Sequence, residues 1–109
     1  MNVKTSDLIG FALDWAVALC EGKDYLYKDK FAGKLLPYRR EYSTDWAQGG
    51  PIIEREHMKL WHDRGVWTAE TMLEKQRGPT PLVAAMRCYV ESKFGNEVAV
   101  PDELCNGLA

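Results

Sequence analysis

The stretch Thr80-Pro81-Leu82-Val83-Ala84-Ala85-Met86-Arg87-Cys88-Tyr89-Val90-Glu91-Ser92-Lys93-Phe94-Gly95 decides the fold class. Threonine caps helices well, proline suits the first helical position because an N–H there has no intrahelical partner, and glycine stops the run. Leu82, Ala85, Met86, Tyr89 and Val90 recur at helical spacing, so a helix from Pro81 to Phe94 must bury that stripe. Upstream, Leu8, Ile9, Ala12, Trp15, Ala16 and Leu19 make a second stripe. Thr5 or Ser6 can cap it, Asp7 suits its positive end and Gly22 can close it, which predicts a helix from Thr5 to Glu21.

Between the two helices, Lys23 to Pro79 is punctuated by Gly and Pro and carries most of the Trp and Tyr. Lys34 to Tyr38, Ile52 to Glu54, Met58 to Trp61 and Val66 to Thr68 read as short strands, and Ala69 to Lys75 as a helical turn. Asp63-Arg64-Gly65 reads as a hairpin connection, with glycine where a positive φ is needed. After the last helix, Glu97 to Val100 alternates polar and apolar residues and predicts an edge strand that Pro101 stops. The expected class is α+β, two main helices packed on a small antiparallel sheet. Residues 1–109 are expected as a single domain, with 102–109 an exposed tail.

The 46% hydrophobic and 28% charged content is that of a globular chain and excludes a disordered or fibrous one. The first residues lack the basic head and unbroken apolar core of a secretory signal. No apolar run approaches the roughly 20 residues that a membrane-crossing helix requires. Cys20, Cys88 and Cys105 form no C-x-x-C pair, which argues against a disulfide framework and a structural zinc site. Three free thiols in a reducing cytoplasm are expected. The net charge of -2 is uneven: residues 23–40 hold six Lys or Arg against two Asp, and residues 41–109 hold seven against eleven acidic residues. A chain charged this way does not present the extended basic face of a general nucleic-acid binder.

The segment Ser43 to Arg55 concentrates hydroxyls, a carboxylate, an indole, an amide and a Gly-Gly-Pro turn. Adjacent glycines allow unusual backbone conformations and expose amide N–H groups, while Pro51 holds Gly50 extended. Ser43, Thr44, Asp45, Trp46, Gln48, Gly49, Gly50 and Arg55 are therefore the candidate ligand- or partner-binding residues, with Arg87 joining if its helix face turns that way. Arg55 could fork onto a phosphate or carboxylate and Trp46 could stack on a planar group. The plainer reading is that the polar groups bond nearby backbone, Trp46 fills core, and the glycines turn the chain into a strand.

No complete catalytic constellation is present. A small hydrolase built on Asp45, Glu54 and His57 is one alternative, and it requires those side chains to converge. A single-stranded nucleic-acid binder is another, using Lys28, Lys30, Lys34, Arg39 and Arg40 with Tyr25, Tyr27, Phe31 and Tyr38 interleaved. His57 and His62, five apart, share neither a helix face nor a strand side, so no metal is assigned, and no cofactor either. Cys20 and Cys88 sit where a cysteine packs as a small hydrophobe.

The run Tyr42 to Glu56, the triplet Trp67-Thr68-Ala69, the run Gly78 to Val90, the ending Gly95 to Leu104 and the opening helix with Leu13-Asp14-Trp15-Ala16-Val17-Ala18 together resemble the NinX-like family of bacteriophage proteins. The basic stretch Lys23 to Arg40 carries little of the likeness. The resemblance implies an accessory protein of a phage or prophage acting in the host cell cytoplasm. By analogy with accessory proteins of this size, it implies nonenzymatic binding of a small polar ligand, a nucleotide among them, or of a host protein.

Overall fold

The computed structural model describes residues 1–22, 26–28, 35–37 and 40–105, of which 26–28 and 35–37 are described in their backbone alone. The chain opens with strand β1 (Asn2–Lys4) and a 3-10 turn at Thr5–Asp7. Helix α1 then runs over Gly10–Cys20, starting five residues later than the sequence implies. Thr5 accounts for the difference. Its hydroxyl does not cap a helix but donates to the Gly95 carbonyl at 2.6 Å, and its amide donates to Asn96 O at 2.9 Å. Ala12 to Ala18 are buried without a break, Asp14 and Trp15 included. A helix sheathed on every side is central core rather than an amphipathic surface helix. Gly22, at φ 73°, closes it as expected.

Strands β2 (Leu26–Lys28) and β3 (Leu35–Pro37) pair antiparallel, Tyr27 opposite Leu36. The latter lies within the expected strand Lys34 to Tyr38, whose two end residues fall outside the described ones. Helix α2 (Trp46–Arg55) follows, where a polar loop and a strand Ile52 to Glu54 were expected. The correction has a local physical cause. Asp45 caps the helix, accepting from Ala47 N at 2.9 Å, and Gln48 reaches back to accept from Glu41 N at 2.9 Å. Pro51 inside a helix normally clashes with the residue before it, and Gly50, having no Cβ, removes part of that clash. Gly49 answers a tertiary demand: a Cβ there would sit 2.4 Å from Tyr42 O and 2.6 Å from a Leu82 methyl.

Strands β4 (Lys59–Asp63), β5 (Val66–Glu70) and β6 (Lys75–Gly78) form an antiparallel meander in that order. The expected hairpin at Asp63-Arg64-Gly65 is present: Asp63 pairs Val66, and Arg64 and Gly65 have φ of 53° and 81°, as a type I′ connection requires. The helical turn expected over Ala69 to Lys75 is instead the end of β5, a bend, and the start of β6. Thr71 drives the bend, its hydroxyl accepting from Glu74 N at 3.1 Å and donating to Glu74 Oε2 at 2.7 Å.

Helix α3 (Pro81–Phe94) matches the sequence reading, with the Thr80 hydroxyl accepting from Val83 N at 3.1 Å. It packs on α1, α2 and the inner face of the meander. The approach to β6 is close enough that a Cβ on Gly78 would lie 2.7 Å from Ala84 N. Strand β7 (Glu97–Ala99) then pairs β1 antiparallel, Val3 opposite Val98, both buried. The architecture is α+β, with three α-helices among the described residues rather than the two main ones expected. Leu104 is buried within the stretch expected as an exposed tail, although Asp102 and Glu103 are exposed.

Candidate functional site

The predicted segment is spread over helix α2 and does not converge on one cleft. Asp45 and Gln48 bond each other at 3.1 Å and close the start of the helix. Gly49 is buried against Tyr42 and Leu82. The Ser43 amide donates to Asp14 Oδ1 at 2.9 Å, and its buried Oγ lies without a good hydrogen bond. Burial pushes the Asp14 carboxyl up to about 6, with bonding from Ser43 pulling the other way. Arg55, at the far end, forks onto Glu21 at 3.1 and 2.8 Å and bonds Glu56 Oε2 at 3.0 Å and the Tyr89 hydroxyl at 3.0 Å. Those bonds hold its guanidinium charged and tie the ends of α1 and α2 to Tyr89 within α3.

What the segment leaves open is apolar. Trp46 is 53% exposed, and with Ser43 and Thr44 it borders a hollow of about 420 Å³ whose other walls include Ile9, Pro79, Pro81 and Leu82. Gly50 is half-buried, with only the Trp46 ring within 4 Å of an added Cβ.

The hydrolase trio is taken apart by the same helix. Asp45 caps its start and Glu54 lies nine residues on, roughly 13 Å along the axis, with His57 beyond it in the following turn. Cys20, Cys88 and Cys105 are all free thiols. Burial pushes Cys20 up to about 12 and Cys88 up to about 11, so neither supplies a thiolate near neutral pH. Among the described residues no three His, Cys, Asp or Glu side chains gather as a metal would need. The basic stretch Lys23 to Arg40 lies almost wholly outside the described side chains.

A different surface gathers chemistry. The meander alternates by strand period, and its inner face gives Leu60, Trp67, Ala69 and Gly78 to α3. The outer face is a grid set by the register. One row is Lys59, Glu70 and Lys75; the next is Trp61, Thr68 and Arg77; Asp63 and Val66 close the end beside the Arg64 turn. Thr68 at the centre is small and only 7% exposed, and it floors a hollow of about 280 Å³ with Trp61 on one side and Lys75, Arg77 and Arg64 around it. The Lys59 and Lys75 ammonium groups lie 5.5 and 5.6 Å from the Trp61 ring centre. Four cations face two carboxylates on this surface, in a chain whose net charge is -2.

Arg87 stands next to it. Its Nε donates to Leu8 O at 2.7 Å and its Nη1 to Arg77 O at 2.9 Å, and burial lowers its pKa. It lines a second, larger hollow of about 590 Å³ that shares Val66, Lys75 and Arg77 with the first. Arg87 thus belongs with the sheet, and of the predicted residues it alone lines either of these two hollows. The sequence reading missed Lys59, Trp61, Lys75 and Arg77. The signal was the period-two pattern Lys59-x-Trp61-x-Asp63 and Lys75-x-Arg77, hidden while residues 69–75 were read as helical.

Residues 4–93 match the family described as Bacteriophage P22, NinX, and the chain belongs to this family. A comparison with curated proteins found no match. Among the described residues no helix is long and apolar enough to cross a membrane.

Proposed function

We propose that the protein is a nonenzymatic phage accessory protein of the host cytoplasm, and that it binds a small polar ligand carrying a planar ring and a phosphate, such as a nucleotide. The observation that carries this reading is the Thr68-floored hollow, walled by the Trp61 indole and by the Lys75 and Arg77 cations. An indole offers a stacking face to any nucleobase, and a guanidinium offers a fork to a phosphate. The separation of Asp45 from Glu54 and the protonated thiols support binding over catalysis. The test is a titration of adenosine and guanosine mono- to triphosphates followed by tryptophan fluorescence. Saturable quenching that Trp61→Ala and Arg77→Ala abolish is expected; no response at millimolar nucleotide rejects the reading.

A second reading is favoured by one observation, the exposed Trp46 beside an apolar hollow. There the occupant is an apolar side chain of a host protein, and Trp46→Ala would abolish a host complex that Trp61→Ala leaves intact.

A further inference from the structure

From the way the two hollows join, we propose that the ligand of the sheet face is single-stranded nucleic acid, laid across the strands from Trp61 over the β6 edge toward Arg87. This rests on the nucleotide reading above and extends it from one nucleotide to a chain of them.

The argument is one of extent and charge placement. Trp61 on β4 and Arg77 on β6 are two strand spacings apart, roughly 10 Å, so a base stacked on the indole places its phosphate over the Arg77 side of the face. The face does not end there. Strand β6 is the edge of the meander, and the 590 Å³ hollow wraps that edge, bounded by Ser6, Gln76 and Arg87 beyond the shared Val66, Lys75 and Arg77. Cations therefore line the way across the face and over its edge: Lys59 on β4 beside the ring, Lys75 and Arg77 two residues apart on the β6 edge, Arg87 past it. A mononucleotide filling the first hollow leaves the Arg87 end of that line unmatched, whereas a polymer presents a phosphate at each step. A stacking side chain combined with a cationic track is how proteins hold unpaired strands without reading sequence. The recess excludes a duplex, because the indole reaches a base face only where that base is unstacked.

Arg87 is fixed in place by its bonds to Leu8 O and Arg77 O, whereas the contacts that the two lysines make are of the exchangeable kind. Lys59 and Lys75 rest over the indole, and an incoming base takes their place while the two ammonium groups turn to phosphates. Thr68 leaves the floor low enough for a flat ring, and a larger residue at this central position would fill the hollow.

The experiment measures fluorescence anisotropy of labelled oligothymidylates of one to eight nucleotides, with a hairpin duplex and unlabelled nucleoside triphosphates as comparison arms. Affinity is expected to rise roughly tenfold or more from one to about four nucleotides and then level off, as expected when stacking and phosphate contacts add along a strand. With about three phosphates engaged, log K should fall with log salt at a slope near -2. Ser6→Glu, which places a carboxylate in the second hollow at an exposed position, should weaken the four-nucleotide probe, and Arg77→Glu should weaken every probe. Equal affinity for a mononucleotide and the longer probes overturns the strand and leaves the nucleotide reading standing. No binding by any probe or triphosphate overturns both. Oligonucleotide binding untouched by Trp61→Ala and Arg77→Glu, or duplex bound as tightly as single strand, overturns this site.

Discussion

Helix α2 and the outer face of the β4–β6 meander hold similar side chains in opposite states. In and around α2, Asp45, Gln48 and Arg55 are engaged in the molecule's own hydrogen bonds, and Gly49 is occupied by the packing of Tyr42 and Leu82. On the sheet, Lys59 and Lys75 lie over an indole in contacts worth about 0.5 to 1 kcal/mol at exposed sites, small beside a bond to phosphate. A dense run of polar residues and glycines can thus be the apparatus of one helix's ends and packing, while plainer residues two apart along strands make the open surface.

That contrast breaks most severely at Gly49. Gly49→Ala forces a methyl group into the Tyr42 carbonyl and the Leu82 side chain, and a loss of about 3 kcal/mol in unfolding free energy is expected by urea denaturation. A loss near zero would mean that α2 has room to move away, and the packing account of this glycine would fail.

The next largest effect belongs to Asp14, which holds the Ser43 amide ahead of α2. Its folded-state value of about 6 exceeds the ordinary 3.8, so the folded protein takes up the proton more readily than the unfolded chain. The stability this contributes is complete below about pH 4 and is lost as pH rises through about 6. Asp14→Asn keeps the acceptor and sheds the charge. Above pH 6 it should be more stable than the parent by about 2 to 3 kcal/mol, the difference closing below pH 4, as urea titrations at a series of pH values can measure. A variant less stable at neutral pH would show that the carboxylate is satisfied by something other than Ser43.

Trp61→Ala sharpens the other side of the contrast. It should lower affinity for nucleotide or oligonucleotide roughly tenfold, near the lower end of what one base stack contributes. Its unfolding midpoint should move far less than that of Gly49→Ala, because the half-buried ring lies outside the hydrophobic core. The smallest effect is expected at Arg55. Arg55 is itself half exposed and its pair with Glu21 is screened from that side, so Arg55→Ala should cost about 0.5 to 1 kcal/mol of stability and leave nucleotide affinity unchanged. A matching loss of affinity would return the α2 segment to the binding surface.

Where local chemistry dictates structure, the sequence was legible. Thr80, Pro81 and Gly95 bound α3 at the expected residues, and Asp63-Arg64-Gly65 makes the expected turn, because caps and positive-φ positions act within a few residues. Helix α2 was not legible: Gly49, Gly50 and Pro51 oppose a helix by propensity, and packing against Tyr42 and against Leu82, which lies far along the chain, overrides them. Strand β6 was missed because Met72 and Leu73 give residues 69–75 a helical look, whereas both side chains stand exposed at the tip of a bend. The candidate site shared that fate, since Lys75 and Arg77 join Trp61 and Thr68 only through strand pairing.

The β1–β7 ribbon bears on the order of folding. Its pairs join residues more than ninety positions apart, Asn2 to Ala99 and Lys4 to Glu97, whereas every pair of the meander closes a loop of about a dozen residues or fewer. Closing the longer loop carries the larger entropic cost until the helices between its ends have already drawn them together. The ribbon is thus expected to form after α1 and α3 have packed, and to open first when the native state fluctuates. In hydrogen-exchange terms, the amides of Val100 and Thr5, which bond Met1 O and Asn96 O across the ribbon, should exchange together and well ahead of those in the middle of α3.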